Sequence, residues 1–141
     1  MIILDTDHIN TLQIAKGPAF DTLLGNMMGS SDQDFVTTVI TLEEQMRGWM
    51  ALINKSRDIE RQVHPYQRLG NLVQFFARWT LLPFDEEATN QFRRLRDHKI
   101  RIGTMDLKIA AIALSQSALV LSANLRDFRQ VPNLRVEDWM H

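Results

Sequence analysis

The sequence of 141 residues contains no cysteine. That absence removes disulfides, thiolate metal sites and a thiol nucleophile together, and it suits a reducing cytosol. No apolar run approaches the roughly 20 residues that cross a bilayer, so no membrane partner is expected. Met1 leads directly into an apolar stretch with no charged leader, so no cleavable secretory signal is expected, and the expected setting is cytoplasmic. Charge of one sign is missing too: 16 Lys and Arg stand against 17 Asp and Glu, a formal net charge of −1. Any nucleic-acid partner would therefore be held by a local patch rather than by the field of the whole molecule. Repeats, linkers and low-complexity tracts are absent, and 45% apolar with 23% charged residues is an ordinary globular composition. One domain over residues 1–141 is expected, long enough to bury about two-thirds of the surface it would expose unfolded.

What is present begins with MIILDTD, residues 1–7. Four apolar residues run into acid without alternation, the pattern of a short strand buried on both faces. In a parallel α/β sheet the reactive crevice lies beyond the carboxyl ends of the strands, which puts Asp5 at its mouth with Asp7 beside the next turn. The same residues suit a cap for a helix beginning near His8. His8 is expected to be a polar residue of that helix rather than a metal ligand, since no second histidine lies at ligand spacing. Apolar positions through Met28 give two helices joined at Gly17-Pro18.

Phe35 to Ile40 (FVTTVI) is a β-branched strand, and a helix is expected from Thr41 with Leu42, Met46, Trp49, Met50 and Ile53 as its packing face. Glu43 and Glu44 would then sit in its first turn, with Glu44 closing a capping box on Thr41. Ser56 to Arg78 is helical with an interruption suggested by Pro65 or Gly70. Leu81-Leu82-Pro83-Phe84 is at most a short strand, and Pro83 argues against a central place in the sheet. The following helix runs to about Lys99 and ends in Arg93, Arg94, Arg96, Lys99 and Arg101, five cations against the single Asp97. They suit a solvated helix end or a grip on RNA phosphates.

Leu107 to Leu114 (LKIAAIAL) is apolar nearly all round and reads as a buried helix with Thr104 as its N-cap. Asp106 in its first turn needs a reason, because an unpaired buried charge is costly. Ala118 to Ser122 is a second wholly apolar strand, with Asn124 and Asp127 at its carboxyl end. Leu134 to Val136 is a short edge strand, followed by the polar tail Glu137-Asp138-Trp139. Strands alternating with helices give an α/β fold, a mostly parallel central sheet flanked by helices on both faces. That topology gathers Asp5, Glu44, Asp106, Asn124 and Asp127 around one crevice. Like charges there call for a cation, and an oxygen-only donor set favours Mg2+, or Mn2+, over zinc. Such an ion activates water and stabilises charge on a phosphodiester.

Four segments, MIILDTD, TLEEQMRG, IGTMDLKIAAIAL and SANLRDF, resemble in that order the PIN-domain ribonucleases, in particular the VapC toxins of bacterial toxin–antitoxin pairs. The resemblance extends to the closing RVEDW. It implies a Mg2+- or Mn2+-dependent endoribonuclease acting on tRNA or ribosomal RNA, a homodimer, and inhibition by a VapB-like antitoxin. It also implies that Asp5, Glu44 (four residues before Gly48) and Asp106 are metal-binding acids, with the fourth acidic position on Asn124 and Asp127 as the nearby carboxylate. Asp5 and Asp106 would hold the metal directly, with Glu44 and Asp127 around the attacking water. Two departures stand out: Asp7 lies where Asn is common in the family, and Asn124 lacks an acid's charge. Surplus aromatics at Trp49, Phe75, Phe76 and Trp79 suit a dimer surface. DTD after an apolar strand also resembles the haloacid-dehalogenase phosphatases, with Asp5 as nucleophile and Asp7 as acid. A PIN-like module that binds RNA or protein without cleaving it is the other alternative.

Overall fold

Five short strands carry the architecture: β1 (Ile2–Leu4), β2 (Phe35–Thr38), β3 (Leu81–Leu82), β4 (Leu119–Leu121) and β5 (Arg135–Glu137). In a computed structural model describing residues 1–141 they form one sheet in the order β3-β2-β1-β4-β5, every neighbouring pair parallel. Seven helices connect them: α1 (Thr6–Ile14), α2 (Pro18–Gly29), α3 (Val39–Lys55), α4 (Val63–Phe76), α5 (Glu86–Asp97), α6 (Thr104–Gln116) and α7 (Leu125–Phe128). None is long and apolar enough to cross a membrane.

The apolar runs of β1 and β4 are explained by burial on both sheet faces. Ile2, Leu4, Leu119 and Leu121 pack on one side with Ile9 of α1, Leu23 of α2 and Phe76 of α4. Ile3 and Val120 point to the other side, into Leu95 of α5 and Leu107, Ile109 and Ile112 of α6. The chain builds outward from β1 through β2 to β3, then returns to add β4 on β1's other side. The strand order thus reverses between β1 and β4, the point where an open α/β sheet leaves a crevice at its carboxyl edge. Leu81–Leu82 and Arg135–Glu137 take the two sheet edges, as Pro83 and the short length implied.

Several boundaries differ from the sequence reading for local reasons. The strand expected to reach Ile40 ends at Thr38, whose hydroxyl oxygen accepts from the Thr41 N–H at 3.2 Å and starts α3 at Val39. A good cap thus outweighs the β preference of Val39 and Ile40. The capping box on Thr41 does not form, and Glu43 and Glu44 move past the first turn. Likewise α1 begins at Thr6 with Asp5 as its N-cap, and Gly103 rather than Thr104 precedes α6. The Ser56–Arg78 stretch divides into a 3-10 turn (Ile59–Gln62) and α4, whose third residue is Pro65, where a helix needs no N–H from it. The last strand is displaced by one residue, so Glu137 pairs with Leu121 instead of opening the tail.

Of the aromatics expected at a dimer surface, Phe76 is buried and Trp49, Phe75 and Trp79 are half-buried. Phe76 is 3% exposed, Phe75 stacks on Trp79 with centroids 6.0 Å apart, and Trp49 and Trp79 pack against the core that holds Phe76. The exposed apolar side chains are others, among them Met50, Ile59, Val63, Tyr66 and Val73.

Candidate active site

Asp5 leaves the end of β1 with its backbone N–H bonded to the Leu121 carbonyl at 3.0 Å, so its position is fixed by the β1–β4 ladder. The residue is 5% exposed. One carboxylate oxygen accepts from the Thr6 N–H at 2.7 Å and the other from the Ser122 hydroxyl at 2.8 Å. Cap and site residue are therefore the same group. Burial first, then repulsion by Asp7 and Asp106, raises its pKa from an ordinary 3.8 to about 7, against the lowering effect of the Ser122 and Thr6 hydrogen bonds.

Glu44 reaches the same crevice from the second turn of α3, its Oε1 accepting from the Thr6 hydroxyl at 3.1 Å. Glu43 pairs instead with Arg47 at 2.6 Å along the outside of the helix. Asp106, the third residue of α6, accepts from the Asn124 side-chain amide at 3.0 Å. Partial burial first, and then neighbouring acids, raises both pKa values against the lowering hydrogen bonds from Thr6 and Asn124: Asp106 is the strongest such acid for Glu44, and Asp127 for Asp106. The expected reason for a carboxylate in an apolar helix was a cation. The observed partner is the neutral amide of Asn124, which also donates to Asp127 at 3.1 Å.

Asp5, Asp7, Glu44, Asp106 and Asn124 line one cavity of about 470 Å3 in which Trp49 is the single apolar wall residue and no Lys or Arg takes part. Asp127 does not line it and stands behind Asn124. No three carboxylates or imidazoles converge as a ready ligand set, and each acid is held by its own neutral donor, Ser122 on Asp5, Thr6 on Glu44 and Asn124 on Asp106. The donor chemistry nevertheless suits a hard divalent ion: oxygen atoms only, several like charges, and no protein cation to balance them. Asp5, Glu44 and Asp106 are the residues that could hold it.

The basic stretch divides. Arg96, Lys99 and Arg101 border a separate hollow at the α5–α6 turn, Arg94 borders another with His98, and Arg93 is exposed, so the five make neither one surface nor part of the acidic cavity. Arg96 also lies over the Phe92 ring at 5.7 Å. Sequence reasoning missed Thr6 and Ser122, whose only signal was adjacency to strand ends. It also missed that His8 is completely buried.

A family model described as the PIN domain matches residues 2–134. This chain belongs to the PIN-domain family. Among curated relatives, "Ribonuclease VapC" of Rickettsia bellii is 37% identical over 139 residues, 96% of this chain and 93% of that protein. "tRNA(fMet)-specific endonuclease VapC" of Salmonella typhimurium is 32% identical over 84 residues, 57% of this chain and 64% of its own length, so this chain spans under two-thirds of that relative. Among solved structures, DNA-bound VapBC from Salmonella typhimurium superposes with TM-score 0.72 at 26% identity, over 98% of this chain and 97% of that one. The PIN domain here is thus of VapC type. Its membership sets aside the haloacid-dehalogenase reading, and Asp7, with both oxygens hydrogen bonded to His8 and Ala123, is not held as a free general acid.

Proposed function

We propose that this PIN domain is the toxin of a VapBC pair, a metal-dependent endoribonuclease that hydrolyses RNA phosphodiester bonds in the cytoplasm. The observation that carries the reading is the gathering of Asp5, Glu44 and Asp106 around a cavity with no cation of its own. The names of the relatives support it, and tRNA or ribosomal RNA is the proposed substrate class. A VapB-like antitoxin is the proposed partner, supported by the VapBC complexes among the structural neighbours, and a homodimer is the proposed assembly. Mg2+, with Mn2+ as a substitute, would be held by Asp5 and Asp106, with Glu44 outside them and Asp127 too far back to take part directly. When bound, the ion supplies charge stabilisation at the phosphodiester and an acidified water.

The chain's own groups have separate tasks. Asp5 is held by the Thr6 N–H and the Ser122 hydroxyl at the β1 terminus, which fixes one oxygen edge against the sheet. Glu44, tethered by Thr6, would orient water and take its proton. Asn124 restrains Asp106 and Asp127 with one amide group and adds no charge. Arg96, Lys99 and Arg101, at the turn leading into the helix of Asp106, would hold RNA phosphates, with Arg93 and Arg94 in weaker positions.

The test is incubation of the purified, antitoxin-free protein with total cellular RNA and Mg2+ or Mn2+, with chelator and Asp5→Ala as controls. Discrete fragments that disappear in both controls are expected. Persistent RNA binding without cleavage would replace the nuclease by the non-catalytic module, and would implicate the neutral residue at Asn124.

A further inference from the structure

His8 is 0% exposed, although it adjoins an acidic crevice and has no metal-binding companion. A leucine would fill such a space as well, so the histidine's ring nitrogens need an account. Nε2 lies 3.2 Å from the backbone N–H of Trp139, which can only donate, so Nε2 carries no proton. The proton therefore sits on Nδ1, 2.6 Å from Asp7 Oδ1, and is donated there. Asp138 Oδ1 is 3.7 Å from Nε2, beyond hydrogen-bond reach, so the backbone contact sets the tautomer.

The connection continues on both sides. The other oxygen of Asp7 accepts from the Ala123 N–H at 2.8 Å, and the Asn124 N–H donates to the Ser122 hydroxyl, which in turn donates to Asp5. Residues 138–140 are seated across several elements: Met140 is 7% exposed, Trp139 packs edge-on against Phe35 at 6.2 Å, and its carbonyl accepts from Asn26 at 3.0 Å. These residues lie beyond the span matched by the PIN model.

We propose that the Asp7–His8 pair is a strut that ties residues Asp138–Met140 to the loop carrying Ser122 and Asn124, and that the tail thereby positions the acidic cavity. Asp7 is then a positioning residue rather than a further ligand, which accounts for acid at a place where an amide would supply only one acceptor. His8 transmits the seating of the tail because each ring nitrogen faces a different partner. The effect on cleavage rests on the ribonuclease reading; the mechanical coupling does not.

Amide exchange and ring-nitrogen NMR on the 15N-labelled full chain test the proposal. In the wild type, His8 is expected with Nδ1 protonated and Nε2 bare. In His8→Ala, amide exchange at Trp139, Ala123 and Asn124 is expected to accelerate about tenfold, with RNA kcat falling by a similar factor and KM held within about twofold. His8→Asn, whose short amide reaches Asp7 but not Trp139, is expected to restore protection at Ala123 and Asn124 and leave Trp139 fast. An Nε2-protonated wild-type ring would overturn the strut even if the variants failed to fold. So would His8→Ala that frees Trp139 alone. A wild type that cleaves no RNA would remove the ribonuclease reading, while the exchange pattern would still decide the coupling.

Discussion

Two cavities at opposite ends of the sheet carry opposite charge. The one at the carboxyl edge holds about 470 Å3 and four carboxylates. The one at the amino edge is larger, about 580 Å3, and is lined by Arg94, Arg135 and His98 without a carboxylate. Two of its three basic side chains have backbone partners: Arg135 donates to the Ser117 carbonyl at 3.0 Å, and His98 Nδ1 donates to the Arg94 carbonyl at 2.7 Å. Those carbonyls close α6 and α5, where the helix dipole places partial negative charge. The acids of the first have only neutral donors, and three of them have raised pKa values. Uncompensated charge, rather than volume, marks the site.

The comparison breaks most visibly in activity. Asp106→Ala is expected to lower the cleavage rate by about 10^3-fold or more, whereas Arg94→Ala at the opposite edge should leave it within about twofold in single-turnover assays. Equal losses would erase the distinction between the cavities.

Stability gives the next effect. Folded Asp5 keeps its proton up to about pH 7, while the unfolded chain releases it near 3.8, so the native state binds more protons across that window. In metal-free buffer the contribution of Asp5 to stability should therefore fall as pH rises from about 4 to about 7, by at most about 4 kcal/mol. Asp5→Asn should raise Tm at pH 8 relative to wild type and change it little at pH 4, as thermal melts across pH would record. A pH-independent difference would contradict the raised pKa.

Smaller effects separate neighbours. Arg135→Ala should cost about 1 kcal/mol in denaturant melts through the lost Ser117 contact, without loss of cleavage. Glu43→Gln should change stability by no more than about 0.5 kcal/mol and spare activity, since its pairing with Arg47 is on the surface. Glu44→Gln should impair cleavage.

How far the sequence carries depends on the distance over which a residue is placed. β1 and β4 were legible because burial on both faces writes an uninterrupted apolar run, and Asp5 was legible as the residue that follows one. Glu44 was favoured over Glu43 by the family resemblance and not by spacing, because the phase of α3 depends on Thr38 taking the cap three residues earlier than expected. Asp127 was offered as a substitute for Asn124, yet side-chain direction puts the amide on the cavity wall and the acid behind it. The basic run was contiguous in sequence but spans a helix and a turn, which sends its members to different sides. His8 was out of reach, because its decisive partner lies 131 residues away.

Calorimetric titration of Mn2+ into the metal-free protein at pH 7.5, alongside Asp5→Asn and Arg94→Ala, tests the central claim most directly. Binding in the wild type and in Arg94→Ala, with affinity reduced at least about tenfold in Asp5→Asn, is the predicted result. No binding to well-folded wild type, or equal affinity in Asp5→Asn, would contradict the assignment of the acidic cavity as the metal-dependent catalytic centre.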